Sequence, residues 1–444
     1  MLSFARNTSA RIARSTSVAK LRQRLRSQLI RNTSWLLGGQ LIQLVGRLGY
    51  FIVVAHVLGP RDYGSFIACT ALVSVVSPYA SFGTGHVMIK EAARDLSGLS
   101  AYFGNALLVT AISGSTLMVL LLQLRSSVLP SSVTAAMLLA IGIGDLIATE
   151  MTAICLQVFL VLEEGRLYSH LLVSSTICRV LAAVILAFSS HTAGHWALLY
   201  SGSSFLGLGL ALTSAVRWAA RPRVMVRSVP HSMREGFHFA TSLASQSIYN
   251  DIDKTMLARL STVEATAIYA VAYRFIEPSL VPIRAAASAS YPEFFRHGND
   301  GVRSGFRFAR SILPHSMLYG GLAALLLYWA AGLIPSVLGA SYAESTAALR
   351  WLCALPFLKS IHIFLSDTLT GCNYQWQTSS AQICVAVLNA VANLWVIRVF
   401  AWRGAAWTSL GTDALLIVIL LVIIRRHIRR EDRICEYSVA VQDR

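Results

Sequence analysis

The sequence predicts an all-α integral membrane protein of about twelve transmembrane helices arranged as two six-helix halves. Three observations predict it. Of the 444 residues, 55% are hydrophobic and only 13% charged, with a mean hydropathy of +0.58. Soluble domains carry roughly a quarter charged residues, whereas a helix needs about 20 apolar residues to cross a bilayer, and this chain has one such stretch after another. Second, Lys and Arg collect on alternate connections between those stretches. Third, the longest connection, residues 217–235, is basic, contains Pro222 and Pro230, and falls at mid-chain.

Taken in order, residues 1–33 form a basic cytoplasmic tail. Its start, MLSFARNTSARIARSTSVAK, has no acidic residue and is rich in Arg and Ser, a composition shared with mitochondrial transit peptides. The plainer reading, a disordered basic tail, is preferred. Leu21, Leu25 and Leu29 follow at helical spacing among Arg22, Arg24 and Arg26, the pattern of a short interfacial helix. Spans are expected at 34–58, 64–89, 102–124, 133–162, 168–190 and 194–216, making an N-terminal half over 34–216. After the linker 217–235 they resume at 236–260, 265–291, 308–338, 345–370, 377–400 and 404–424, a C-terminal half over 236–424. A second basic tail closes the chain at 425–444. Lipid gives an unpaired backbone no partner, so apolar stretches of this length are helices.

With both termini in the cytoplasm, 26 of the 38 Lys and Arg lie in the tails and even-numbered connections and six on the opposite side, as the positive-inside rule requires. The net charge of +17 is thereby assigned to topology and to anionic lipid head groups, not to nucleic acid. The seven Cys are scattered without a CxxC pair and read as small apolar residues rather than a disulfide or metal framework. A weak internal repeat sets Glu91-Ala-Ala-Arg94 at the end of the second span against Glu293-Phe-Phe-Arg296 at the end of the eighth, the pattern of transporters with a site between repeats.

Six cations (Arg47, Arg179, Lys254, Arg274, Arg284, Lys359) and seven acids (Asp145, Glu150, Asp251, Asp253, Glu277, Asp367, Asp413) lie within the spans. Each central charge costs about 2.5–3.5 kcal/mol in lipid, so so many imply a hydrated cavity. At 100° per residue, Gln40, Gln43, Arg47 and Tyr50 share a face of span one, and Arg274, Glu277 and Arg284 share a face of span eight. Ser247, Asn250, Asp251 and Lys254 share a face of span seven, with Asp253 turned away. The six cations are the substrate-binding candidates, and Asp251, Asp253 and Glu277 the ion-coupling candidates. The competing reading is structural pairing, open to Arg274 with Glu277 at (i, i+3). No catalytic residue, cofactor or metal is expected. GxxxxGK[ST], GxSxG and HExxH are absent, Asp251-Ile-Asp253 lacks the soluble domain that a sugar-transferring DxD requires, and His191 with His195 lacks a third ligand.

Several segments resemble a known family. Leu58-Gly59-Pro60-Arg61-Asp62-Tyr63-Gly64, Ser81-Phe82-Gly83 and Ile89-Lys90-Glu91-Ala92-Ala93-Arg94 are similar to the opening of the bacterial polysaccharide-unit (Wzx-type) flippases, the polysaccharide transporter family. That family shares a superfamily with the MATE exporters and lipid II flippases. Asp251-Ile-Asp253-Lys254-Thr255-Met256-Leu257, Ala267-Ile268-Tyr269-Ala270-Val271-Ala272-Tyr273-Arg274, Leu338-Gly339-Ala340-Ser341-Tyr342-Ala343 and Arg403-Gly404-Ala405-Ala406-Trp407 follow in the family's order, with Ala258 and Ala267 where it usually has Gly. The resemblance implies a MATE-like flippase fold in the bacterial inner membrane. It also implies a non-enzymatic role, moving undecaprenyl-diphosphate-linked oligosaccharide units for O-antigen, capsule or exopolysaccharide. The implied partners are membrane lipids, the lipid-linked substrate, a polysaccharide polymerase and chain-length proteins. A MATE-type drug or metabolite exporter is the alternative, and a membrane glycan ligase or transferase a weaker one.

Overall fold

The computed structural model describes residues 31–433; the interfacial helix expected at Leu21–Leu29 and the last residues of the C-terminal tail lie outside them. The described chain is helical almost throughout, with no strand among the described residues. Eight helical stretches are long and apolar enough to cross a membrane. Two of them, Arg31–Ala80 and Gln375–Arg433, are each two helices joined without a loop. The first breaks at Gly59, whose φ of 69° falls where glycine alone is at ease, and the second at Ala401, with φ 50°. Two more polar helices, Val229–Leu260 and Val263–Gly298, bring the total to the expected twelve.

We number them α1 (31–58), α2 (60–80, continued by Thr84–Ala92), α3 (Leu99–Val128), α4 (Ala135–Val161), α5 (Gly165–Ala187), α6 (Ala193–Trp218), α7 (Val229–Leu260), α8 (Val263–Gly298), α9 (Val302–Ala330), α10 (Ala340–Gly371), α11 (375–400) and α12 (402–433). Their starts are chemically marked. Pro60 opens α2 at the first-turn position where a missing N–H costs nothing. Thr134, Thr192 and Thr262 cap α4, α6 and α8, each accepting from the backbone N–H three residues on. A π-helical turn, Ile143–Thr149, interrupts α4.

Helices α1 and α2 pack against α7 and α8, while α5, α6 and α10–α12 support them from behind. The basic linker is tied to the N-terminal half: Asn105 of α3 donates to the Met225 carbonyl (3.2 Å) and accepts from the Met225 N–H (2.9 Å). Gly104 gives it room, since a Cβ there would stand 2.3 Å from the Arg223 carbonyl oxygen. We call the face carrying this linker and the other basic connections the inner face, and the opposite one the outer face.

Candidate functional site

At the outer end the turns between α1 and α2 and between α7 and α8 interlock. Five of the six residues of the Gly59–Gly64 stretch have a task there. Gly59 makes the turn and Pro60 starts α2. Asp62 accepts from the Ala193 N–H at 3.0 Å, closing the start of α6. Tyr63 is buried, within hydrogen-bonding reach of the Arg274 guanidinium of α8. Gly64 lies so close to the α8 start that a Cβ would stand 1.8 Å from the Val263 carbonyl oxygen. Below this, Phe51 of α1 meets Phe275 of α8 edge to face at 5.8 Å, and Tyr342 donates to the Ala55 carbonyl at 2.9 Å. Together these contacts seal the outer end.

The inner end differs. Residues 265–272 of α8 are all buried, but from Glu277 inward only Leu280, Ile283, Ala287 and Phe294 are. The change coincides with Pro278 and Pro282, which remove helix hydrogen bonds and permit a bend. On α7, Ser232, Gly236, Ala240 and Ala244 alone are buried in the inner half, a stripe of small residues at i, i+4 that lies on α2. Gly83 and Gly236 meet there: a Cβ on Gly83 would stand 2.3 Å from the Gly236 carbonyl oxygen. At its rim Lys90 donates to Glu235 at 2.9 Å. That hydrogen bond holds the Glu235 carboxyl below the usual carboxylate range and raises the Lys90 ammonium. The inner half of α1 rests on α5 through Gly39 and Gly46 and otherwise exposes Gln40, Leu41, Val45 and Arg47. The outer ends of α1, α2, α7 and α8 are therefore packed together, whereas their inner halves expose more of their surface.

Nine of the thirteen intramembrane charges sort into three clusters. At the interface, Lys254 donates to Asp251 at 2.5 Å, and Asp251 accepts from Ser74 of α2 at 3.0 Å. Arg274 pairs with Glu277 at 3.3 Å, one turn along α8. These two pairs lie within electrostatic range of each other. In the C-terminal half, Asp413 of α12 is 2% exposed, accepts from the Tyr249 hydroxyl, and stands 3.9 Å from both Lys359 and His362. Asp253 is also buried in this half, accepting from the Tyr269 hydroxyl at 2.5 Å, which Ser409 touches at 2.9 Å. In the N-terminal half, Asp145 on the π-helical turn accepts from Tyr200 at 2.9 Å, and Arg179 lies 3.5 Å from the Tyr200 ring centre and donates to Ser204 at 2.7 Å.

Of the nine residues singled out from sequence, the structure thus gathers Asp251, Lys254, Arg274 and Glu277 where α7 and α8 meet α2. It sets Arg179 and Lys359 in separate clusters within the two halves, and turns Asp253 into the C-terminal half. Arg47 and Arg284 are exposed and make no ion pair among the described residues. Arg284 follows Glu277 by seven residues, on the same α8 face and about 10 Å further in. Sequence reasoning missed Tyr63, Tyr249 and Tyr269 as partners, and His362. A signal for His362 existed, since it is three residues from Lys359 on an apolar span; the tyrosines are ordinary at membrane depth until a neighbouring helix supplies the charge. No metal-holding group of His, Cys, Asp and Glu occurs among the described residues.

Residues 29–297 match the family described as polysaccharide biosynthesis protein. A provisionally assigned O-antigen transporter of Escherichia coli (strain K12) is 21% identical over 388 residues, covering 85% of this chain and 92% of that protein. Among solved structures, the inward-facing conformation of a MATE-family multidrug resistance transporter aligns with a TM-score of 0.70 at 14% identity, over 87% of this chain and 96% of the other. The inward closed conformation of the lipid II flippase MurJ aligns with a TM-score of 0.70 at 13% identity, over 88% and 87%. An outward-facing MATE-family transporter aligns at 0.59, with 13% identity over 90% and 96%. At these identities the likeness carries the fold alone.

Proposed function

Because the chain belongs to the polysaccharide biosynthesis protein family, whose members it matches over residues 29–297, we propose that this multi-pass membrane protein is a flippase. It moves undecaprenyl-diphosphate-linked oligosaccharide units from the cytoplasmic to the periplasmic leaflet of the bacterial inner membrane, with both termini cytoplasmic. No bond is made or broken. The reading is supported by Arg47 of α1 and Arg284 of α8, which are exposed and make no ion pair among the described residues; the mechanism sets them on the walls of a cleft open to the inner side. A diphosphate needs cations with free donors, and arginine offers them in a fork that suits phosphate oxygens. The glycan needs the hydrated path that exposed Gln40, Gln246 and Asn250 line.

In this mechanism the unit enters from the inner side, and its diphosphate is held by Arg47 and Arg284, with Arg274 and Lys254 deeper in the same cleft. The seal at Tyr63, Gly64 and Phe51 then parts while α2 and α7 close further in. Asp251 and Glu277, the acids paired with those deeper cations, and Asp253 behind them, couple the change to an ion gradient; collapsing the proton or sodium gradient in sealed vesicles slows transport if they do. A polymerase and chain-length proteins would take up the delivered units.

The test is a deletion strain. Lipid-linked oligosaccharide accumulating on the cytoplasmic leaflet, with surface polysaccharide lost, supports the flippase and identifies its cargo. Normal levels of both overturn it and direct attention to small-molecule efflux.

A further inference from the structure

A cavity of about 250 Å³ lies between α2, α4 and α7. Its polar lining is Ser81 and His86 from α2, Glu150 and Gln157 from α4, and Gln246 and Ser247 from α7. We propose that it is a subsite for one neutral sugar ring of the transported unit. The inference rests on the flippase reading and assigns the position of the glycan within it.

Four observations carry it. The lining holds a carboxyl, two amides, two hydroxyls and an imidazole, but no Lys or Arg, so an anionic diphosphate finds neither charge nor fork there. A polyhydroxylated ring finds donors and acceptors on three sides. Gln157 Oε1 is buried and has no hydrogen-bond partner; it stands where a Cβ on Gly85 would be 2.0 Å away. This free acceptor is held in place by an absent side chain opposite, and a ligand hydroxyl would satisfy it. Ser77 and Ser81 hydroxyls face the Glu150 carboxyl, fixing its orientation toward α2. Finally, the walls alternate these groups with apolar surface at Pro78, Ile154 and Leu243, and the His86 ring stacks on Phe239 at 5.6 Å with a 16° tilt. Sugars present that alternation of hydroxyl edge and C–H face.

The volume sets the size of the ligand. At about 250 Å³ it lies just below the ~300–1,000 Å³ of sites for drug-sized ligands, the scale of one sugar ring. Ser247 is seven residues from Lys254 on the same α7 face, about 10 Å along the helix. A ring seated here thus lies one sugar or so from the charged cluster, as the attached glycan of a diphosphate held in the cleft must.

The experiment uses the full chain in nanodiscs. Saturation-transfer difference NMR is recorded with glucose, galactose, mannose and N-acetylglucosamine at millimolar concentration, for the wild type, Gln246→Ala at the exposed rim, and Glu150→Gln, which preserves shape. At least one sugar should show saturable transfer, and each substitution should weaken it about tenfold, the worth of one hydrogen bond to a charged or buried partner. Absence of transfer from all four sugars, or transfer unchanged in both variants, overturns the subsite. Undecaprenyl diphosphate binding in the same nanodiscs separates the two claims. Binding retained while every sugar fails removes the subsite and leaves the flippase reading. Sugar transfer that responds to the substitutions, with no lipid diphosphate binding, supports the subsite and removes that reading.

Discussion

Replacing Gly64 with alanine should hold the outer seal open. The Cβ would begin 1.8 Å from the Val263 carbonyl oxygen, and real Cβ atoms essentially never come nearer than 3.0 Å. The partner is backbone at the start of a capped helix, fixed by the Thr262 side chain, so it cannot swing aside as a flexible side chain would. The ends of α2 and α8 must therefore separate by more than an ångström, or the sealed state must carry the strain. Overpacking of this kind costs about 1–3 kcal/mol. The strain exists only where the two ends touch, so it acts on the sealed state and leaves an outward-open state untouched. The ratio of open to sealed molecules then rises by about 5- to 150-fold.

The assay is labelling from outside the cell. Ala265, 5% exposed within the seal, is changed to cysteine in a chain whose natural cysteines are replaced by serine. A membrane-impermeant maleimide reports how often the seal parts. In the wild-type background labelling should be slow, and in the Gly64→Ala background at least about fivefold faster, with surface polysaccharide reduced because the cycle no longer resets. Equal, slow labelling in both backgrounds, at matched protein level and with a monodisperse size-exclusion peak, would refute the argument that Gly64 marks the point of closure.

Arg47→Ala and Arg284→Ala should each weaken undecaprenyl diphosphate binding by about ten- to a hundredfold, the range for one charge-assisted hydrogen bond, with Lys at either position restoring part of it; vesicle binding measures this. Arg274→Ala should lower surface glycan without lowering protein level, since it frees Tyr63 and leaves Glu277 alone in the cleft; immunoblotting beside glycan staining checks it. Lys359→Met should destabilise the purified protein by about 3–5 kcal/mol, because it strips the buried Asp413 carboxylate of a cation, whereas Lys359→Met with Asp413→Asn should recover much of the loss in thermal unfolding. The Lys90–Glu235 contact should respond to acid. The folded state holds Glu235 below its ordinary value of 4.5, so its contribution is complete above that value and disappears as pH falls through the lowered one; hydrogen exchange at the start of α7 should rise there, and Glu235→Gln should abolish the dependence.

The helices were legible because their cause is local. Apolar length marks a span, Gly-Pro at 59–60 marks a turn, and Thr before an apolar run marks a cap. The break at Ala401 was not legible as a loopless turn, since alanine at positive φ is a choice imposed by packing at the outer rim rather than by its own preference. The same division holds for the charges. Arg274 with Glu277 was readable as a pair at (i, i+3), and the turning-away of Asp253 followed from 100° per residue. The partners of Arg179 and Lys359 were not readable, because Asp145, Tyr200 and Asp413 come from other helices, and nothing in a linear spacing says which faces of α4, α5 and α6, or of α10 and α12, will meet. Six cations that look equivalent along the chain consequently differ: among the described residues four have acidic neighbours and two have none.

That division bears on how the cleft can move. If Arg274 were paired with an acid on α2, opening the outer end would pull apart a half-buried ion pair, at about 3–5 kcal/mol. Instead its partner is Glu277 on its own helix, so the pair travels with α8. Across the seal Arg274 reaches the Tyr63 hydroxyl, a hydrogen bond worth about 1.5–3 kcal/mol at most when one side is charged and replaced by water once the end opens. Lys254 and Asp251 likewise share α7, and their link to α2 is the Ser74 hydroxyl. At both points the charges are neutralised within a helix and only hydroxyls reach across the boundary. Two states that differ by such exchanges can lie within a few kcal/mol of each other, the gap over which binding of one ligand can switch a population. In the proposed mechanism Arg47 and Arg284, which have no acidic partner among the described residues, are the positions where an incoming anion changes the balance most.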